Sequence, residues 1–421
     1  MPLAAQESTQ PLLIIPQAVF TASDGRLHQG WGVVVENRRI SAVGPVASLP
    51  SPAAMQRLDL PEATLLPGLM DLHVHLFLHP YNETLWDDQV LKESVAYRTL
   101  AAGRFASANL RAGFTLLRDL GSEGAGYADV GLRQALRDGL ISGPRLQIAT
   151  LAIAARGCYG PGPRNYREDH DFPKGAQMVS GEAEIVRAVR DQAGHGADWI
   201  KVYADHRCGP GGSVVPAFSQ QELDTLVRVA TDLGRPVAAH AAGAEAMRRA
   251  TLAGVSSIEH GFGGTPEVFA LMAEHQVAYF PTLAAQAAYA EYFEGYRPAS
   301  DPPTASMQLA QQAFRNALEA GVTIGLGSDV GVFPHGEIWR EMELMQAYGM
   351  EPAQVLQAAT RINAGIAGVA DHLGQIRSGF QADLVAVRGN PLDDLQAMRQ
   401  VIWVMRDGQV VHSVSEGPHG N

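Results

Sequence analysis

The feature that most constrains this chain is an alternation. Eight short apolar segments, "GLMDLHVHL", "FTLLRDL", "RLQIATLA", "WIKVYAD", "PVAAH", "SSIEH", "VAYFPTL" and "TIGLGSD", are separated by amphipathic stretches such as "GEAEIVRAVRDQAGHG" and "SQQELDTLVRVATDLG". Short apolar runs that alternate with helical patterns predict parallel strands with crossover helices. Eight such units over residues 63–375 predict an α/β fold, a (β/α)8 TIM barrel. The flanks, 1–62 and 376–421, have a different texture, with strands and turns such as "GWGVVVENRRISAVG" and "VIWVMRDGQVVH". They predict a small β-sandwich domain built from both chain termini. The stretch "EYFEGYRPASDPPTAS" lacks a clear period and reads as an excursion near the barrel mouth.

In such a barrel, chemistry collects at the C-terminal ends of the strands. The first expected strand ends in His73 and His75, the fourth carries Lys201, the fifth ends at His240, the sixth at His260 and the eighth at Asp329. Alternate residues of a strand share one face, so His73 and His75 both point inward. Two neutral imidazoles on one face can chelate a cation, and without one they would be buried and poorly partnered. His and carboxylate ligands suit Zn²⁺ and similar divalent ions. Lys201 is costly as a buried ammonium. Its strand context leaves several readings open: a neutral amine, a paired one, one that snorkels to the mouth, or a carbamate formed with CO2 that bridges two ions.

The chain bears a formal net charge of −12 and no basic run, which argues against a nucleic-acid partner. No apolar stretch is long enough for a membrane span, and "MPLAAQESTQPLL" does not read as a signal peptide. Cys158 and Cys208 are not in a CxxC pair and are expected to be free thiols in a reducing compartment, which points to a cytoplasmic protein.

"PGLMDLHVH" resembles the first-strand pattern PGxxDxHxH of the amidohydrolase superfamily. "WIKVYAD", "VAAHA", "SIEHG", "GLGSD" and the tail "IRSGFQADLVAV" resemble that superfamily's later patterns. Within it, the chain looks closest to imidazolonepropionase-like and Xaa-Pro dipeptidase-like members, which include carboxypeptidases and ochratoxinase-type amidases. The resemblance implies a binuclear site. His73 and His75 would hold one ion with Asp329, a carbamylated Lys201 would bridge both, and His240 and His260 would hold the second. The implied cofactors are two divalent metal ions, zinc foremost, and the CO2-derived carbamate. The implied reaction is hydrolysis of an exocyclic amide (a dipeptide, an N-acyl amino acid or an ochratoxin-like aryl amide) by a metal-bridging hydroxide. Asp329 would shuttle the proton, and Tyr203 or a residue of "RGCYGP" is the candidate donor to the oxyanion.

Two positions depart from the dipeptidase pattern. Some relatives carry Gly-Gly-His after the third strand where this chain has "AARGCYGPG", and Ala242 stands where a Tyr often follows the fifth-strand His. Arg156, Tyr159, His206 and Arg207 follow the third and fourth strands and are the expected substrate-binding residues, with His335 a further candidate. "CGPGGS" reads as a flexible rim or lid. Hydrolysis of a cyclic amide, as in imidazolonepropionase, is the alternative activity. A deaminase is disfavoured by Lys201, and a non-catalytic scaffold by the full ligand set. The expected partners are a small-molecule amide and further copies of the chain in a homo-oligomer.

Overall fold

The computed structural model describes residues 10–50, 55–162, 167, 169–298 and 300–414. The expectation about a leader falls mainly on residues 1–9, which lie outside the described residues. Among the described residues no helix is long and apolar enough to cross a membrane.

The apolar segments form parallel strands, as their alternation predicts. Leu69–Val74, Phe114–Asp119 and Arg145–Ile148 make a three-stranded parallel sheet. A six-stranded parallel sheet follows the order Gln177–Val179, Ile153–Ala155, Ile200–Tyr203, Val237–Gly243, Ser257–Gly263, Ala278–Phe280. Helices separate most of the consecutive strands. Gln220–Asp232, for example, opens on a capping box in which Ser219 and Glu222 satisfy each other's backbone N–H groups, and it buries Leu223, Leu226 and Ala230. The fold is therefore α/β.

Two of the expected strands differ in detail. "RLQIATLA" is interrupted at Thr150, whose φ is +57°, and pairing resumes at Ile153. "TIGLGSD" makes single parallel bridges, Tyr279 to Ile324 and Val74 to Val330, and is not a regular strand. Its glycines are the reason: a Cβ on Gly325 would lie 2.3 Å from the Phe280 ring, and one on Gly327 would lie 2.9 Å from the His73 Cβ. The segment runs close against its neighbours and still hydrogen-bonds the first strand, Leu72 N donating to Leu326 O (3.1 Å) and Asp329 N to His73 O (2.7 Å). Asn363 fixes the far end, its Nδ2 donating to Met70 O and Leu326 O at 2.9 and 2.8 Å.

Both termini join one eight-stranded mixed sheet. The hairpins Trp31–Glu36/Arg39–Pro45 and Val401–Arg406/Gln409–Ser413 are its two ends. Their turns meet, with Arg38 and Asp407 paired at 3.2 Å. The Gln56–Pro67 strand stays paired to the C-terminal Leu384–Arg388 strand through Pro67, so the sheet runs past residue 62, its expected limit. The sheet has a core of its own around Ile14, Val33, Leu65, Leu384 and Trp403.

The cysteines are not free thiols: Cys158 and Cys208 form a disulfide, with Cα atoms 4.8 Å apart. Loop residues that follow the third and fourth strands bring them together, a proximity that spacing along the chain does not reveal. Thiol titration of the denatured, unreduced protein is expected to find no free thiol, with both appearing after reductant. Full titration without reductant would contradict the bridge.

Candidate metal and active site

Asp71, His73 and His75 open the site. The Asp71 carboxylate accepts from His73 N (2.9 Å), Ser328 N (3.1 Å) and Ser328 Oγ, so it ties the first strand to the eighth segment. That tie sets Asp329 against the imidazoles. Asp329 Oδ1 lies 3.6 Å from His73 Nε2 and 3.4 Å from His75 Nε2. The ligating atoms of His73, His75 and Asp329 all fall within 4.8 Å of one another. His240 and His260 flank this group without joining it at that distance; their ring centroids are 4.5 Å apart, and His260 is 5.0 Å from His73.

The second nitrogen of each inner imidazole is engaged, which orients the ring. His73 Nδ1 contacts Glu259 Oε2 at 2.7 Å, His75 Nδ1 the carbonyl of Gly121 at 3.0 Å, and His260 Nδ1 the Thr282 hydroxyl at 2.8 Å. Glu259 also accepts from Ser257 Oγ (2.6 Å) and from buried Arg118 (3.1 Å), whose guanidinium lies between the rings of Trp199 and Phe280. His240 Nε2 faces Asp205 at 3.4 Å, and Asp205 accepts from the N–H groups of Ala242 and Gly243.

Burial, and then the charge of Lys201, holds His73 well below the usual imidazole range. Burial and His240 do the same to His260, and burial lowers His75. Neutral imidazole is the ligating form. Desolvation pushes Asp329 up to about 7, although 14% of its side chain is exposed, and pulls the Lys201 amine down to about 8. His73 Nε2 and Lys201 Nζ are buried without a hydrogen-bond partner. Unpartnered buried polar atoms of this kind are rare and call for an explanation. Two imidazoles and a carboxylate within 4.8 Å of one another fit a divalent ion, which would take the free lone pair of His73 Nε2, and Lys201 lines the same cavity.

The site opens into a cavity of about 280 Å³ lined by His73, His75, Lys201, His240, His260 and Asp329, with Tyr159, Tyr203, His206 and Arg207 on its wall. All six expected ligands and four of the expected wall residues are thus brought together. Two candidates are not. Arg156 is exposed and faces Glu184 at 3.6 Å. His335 is half-buried outside the cavity, stacked on Phe105 at 4.4 Å with Nε2 against Leu78 O. The "CGPGGS" segment is the tip of a short hairpin, Asp205–His206 with Val215–Pro216, tied down by the disulfide at Cys208; it is not a free lid.

Sequence reasoning missed Glu123, Tyr81, Phe262 and Tyr289, which also line the cavity, and Glu259 behind it. Glu123 had a signal: the second strand is followed by an acidic loop, "DLGSEG", at the barrel end where the ligands gather. Glu123, His260 and Asp329 all have positive φ, of 48°, 72° and 61°. Such backbones cost about 1–3 kcal/mol each for non-glycine residues and concentrate at functional sites.

Residues 64–411 match the Amidohydrolase family, and the chain belongs to it. It is a hydrolase acting on amide bonds. It is 28% identical to ochratoxinase of Aspergillus niger over 97% of this chain and 88% of that one. Among solved structures it resembles a Xaa-Pro dipeptidase with methionine bound in the active site (32% identity, TM-score 0.85, 95% of this chain and 99% of that one). It also resembles a prolidase complexed with N-methylphosphonate-L-proline (26% identity, TM-score 0.80, 96% and 100%).

Proposed function

We propose that this protein is a binuclear metal-dependent hydrolase of exocyclic amides, its substrate a dipeptide, an N-acyl amino acid or an ochratoxin-like aryl amide. The observation that carries the reading is the pair of unpartnered buried atoms, His73 Nε2 and Lys201 Nζ, beside Asp329 in an open cavity. His73, His75 and Asp329 would hold one ion, and His240 and His260 the other. On this reading the three-stranded and six-stranded sheets close into one barrel through the bridges at Ile324 and Val330, with the terminal sheet packed as a sandwich.

Bound divalent ions would supply Lewis acidity toward a carbonyl oxygen and lower the pKa of bound water to about 7. The rest is done by the chain. Burial leaves part of the Lys201 amine neutral, the form that adds CO2; Nζ would bond to the carbon as one C–O π bond opens, lose a proton, and offer the ions an anionic carboxylate-like ligand. Asp329 accepts a proton from the attacking water and returns it to the nitrogen as the C–N bond breaks. Arg207, on the cavity wall with its guanidinium 5.9 Å from the Tyr289 ring, is placed to take a substrate carboxylate. His206, drawn down to about 4 by burial and by His240, is neutral at pH 7 and can add only a neutral hydrogen bond.

The test is a panel of dipeptides and N-acyl amino acids with Zn²⁺ and bicarbonate present. The expected result is release of a free amino acid from at least one linear amide. Opening of cyclic imides or lactams with no linear amide cleaved would replace this reading with the cyclic-amide one.

A further inference from the structure

Glu123 is not among the proposed metal ligands, yet it is buried in the cavity wall at 1% exposure. Its Oε2 accepts from Trp86 Nε1 at 3.0 Å and from the Tyr159 hydroxyl at 2.7 Å; its Oε1 accepts from the Tyr203 hydroxyl at 2.8 Å. An indole N–H can only donate, and each phenol has one proton. With both phenol protons directed at Glu123, the 2.9 Å contact between Tyr159 Oη and Tyr203 Oη has none left. Both phenol oxygens therefore offer lone pairs. Tyr203 cannot also donate to an oxyanion without breaking its bond to Glu123.

The surroundings favour a cation. The Tyr159 and Tyr203 rings lie side by side on the cavity wall with centroids 4.2 Å apart, Trp86 packs on Tyr159 at 5.2 Å from outside the lining, and Tyr203 adjoins His240 at 5.0 Å. Aromatic faces with an acid behind them attract positive charge. Two cations feel the Glu123 charge: Arg98, which donates to Phe77 O and Ser122 O and does not face the cavity, and Lys201, which lines the cavity among the proposed ligands.

We propose that Glu123 is a specificity-determining residue: by taking the protons of Tyr159 and Tyr203 it makes this wall a hydrogen-bond acceptor, which selects amides whose acyl part carries a protonated amine. The inference rests on the amide-hydrolase reading and narrows it to dipeptide-like substrates over N-acyl amino acids.

The experiment compares glycyl and N-propionyl derivatives of L-phenylalanine, L-methionine and L-proline, pairs that differ by NH3⁺ against CH3. The metal-loaded wild type is expected to favour the glycyl member by about ten- to a hundredfold in kcat/KM, the worth of one hydrogen bond to a charged group. Glu123→Gln is expected to bring that ratio to within about threefold of unity, mainly through KM of the glycyl member. Tyr159→Phe, which leaves the Glu123–Tyr203 and Glu123–Trp86 bonds in place, is expected to lower it in part and carries the test if Glu123→Gln does not fold. A wild-type ratio at or below one, or a ratio unchanged in the folded variant, overturns the inference. Cleavage of neither series overturns the amide reading itself, and the inference with it.

Discussion

Asp329→Asn is expected to lower kcat by about 10²–10⁴-fold, the range for loss of a positioned proton carrier. The substitution keeps the shape and a single oxygen ligand. It removes the charge that faces His73 and His75, and with it the lone pair proposed to take the water's proton. The loss should fall on kcat more than on KM, because Asp329 lies at the floor of the site and Arg207 and Tyr159 on its wall are untouched. Steady-state kinetics on any cleaved amide decide it. A variant that keeps more than about a tenth of wild-type kcat would remove Asp329 from the chemistry.

Lys201 carries the second large effect, and it has two signs. In the metal-loaded protein, Lys201→Ala would remove the bridging ligand proposed above. Lewis-acid stabilisation is worth several kcal/mol, which at about 1.36 kcal/mol per decade is a loss of about a thousandfold or more. In the metal-free protein the same amine is a liability, buried with no hydrogen-bond partner. Lys201→Met fills the space without a polar atom and is expected to raise metal-free stability by about 1–3 kcal/mol, the penalty of an unsatisfied buried group. Melting of both proteins after chelation tests this. A variant that melts lower than wild type when both are metal-free would mean that Lys201 has a partner that stabilises the fold.

The parts of this site that sequence made legible share one property. His73, His75, Lys201, His240, His260 and Asp329 each interrupt or end an apolar run, so a polar residue there stands out. The parallel strands were legible for the same reason, and the terminal sheet from the shared texture of the two ends. What escaped depends on contacts between distant segments. Glu123 lies in a turn, where periodicity assigns no face, and its role comes from Trp86, Tyr159 and Tyr203 on other elements. Glu259 precedes His260 in the same strand and was passed over for its neighbour, yet it holds His73 across the site. The disulfide joins residues 50 apart in sequence. Arg156 and His335 lie near strand ends along the chain, but their side chains turn elsewhere, Arg156 to Glu184 and His335 to Phe105.

The central claim is that the imidazoles, Lys201 and Asp329 exist to hold a pair of divalent ions. The most direct measurement is metal content per chain after chelation and reloading with Zn²⁺ in bicarbonate, by plasma emission spectrometry, with amide cleavage followed on the same samples. The expected result is retention of a pair of ions per chain, with cleavage rising in step with loading. Cleavage that survives complete removal of metal, or a reloaded protein that retains none, would contradict the claim.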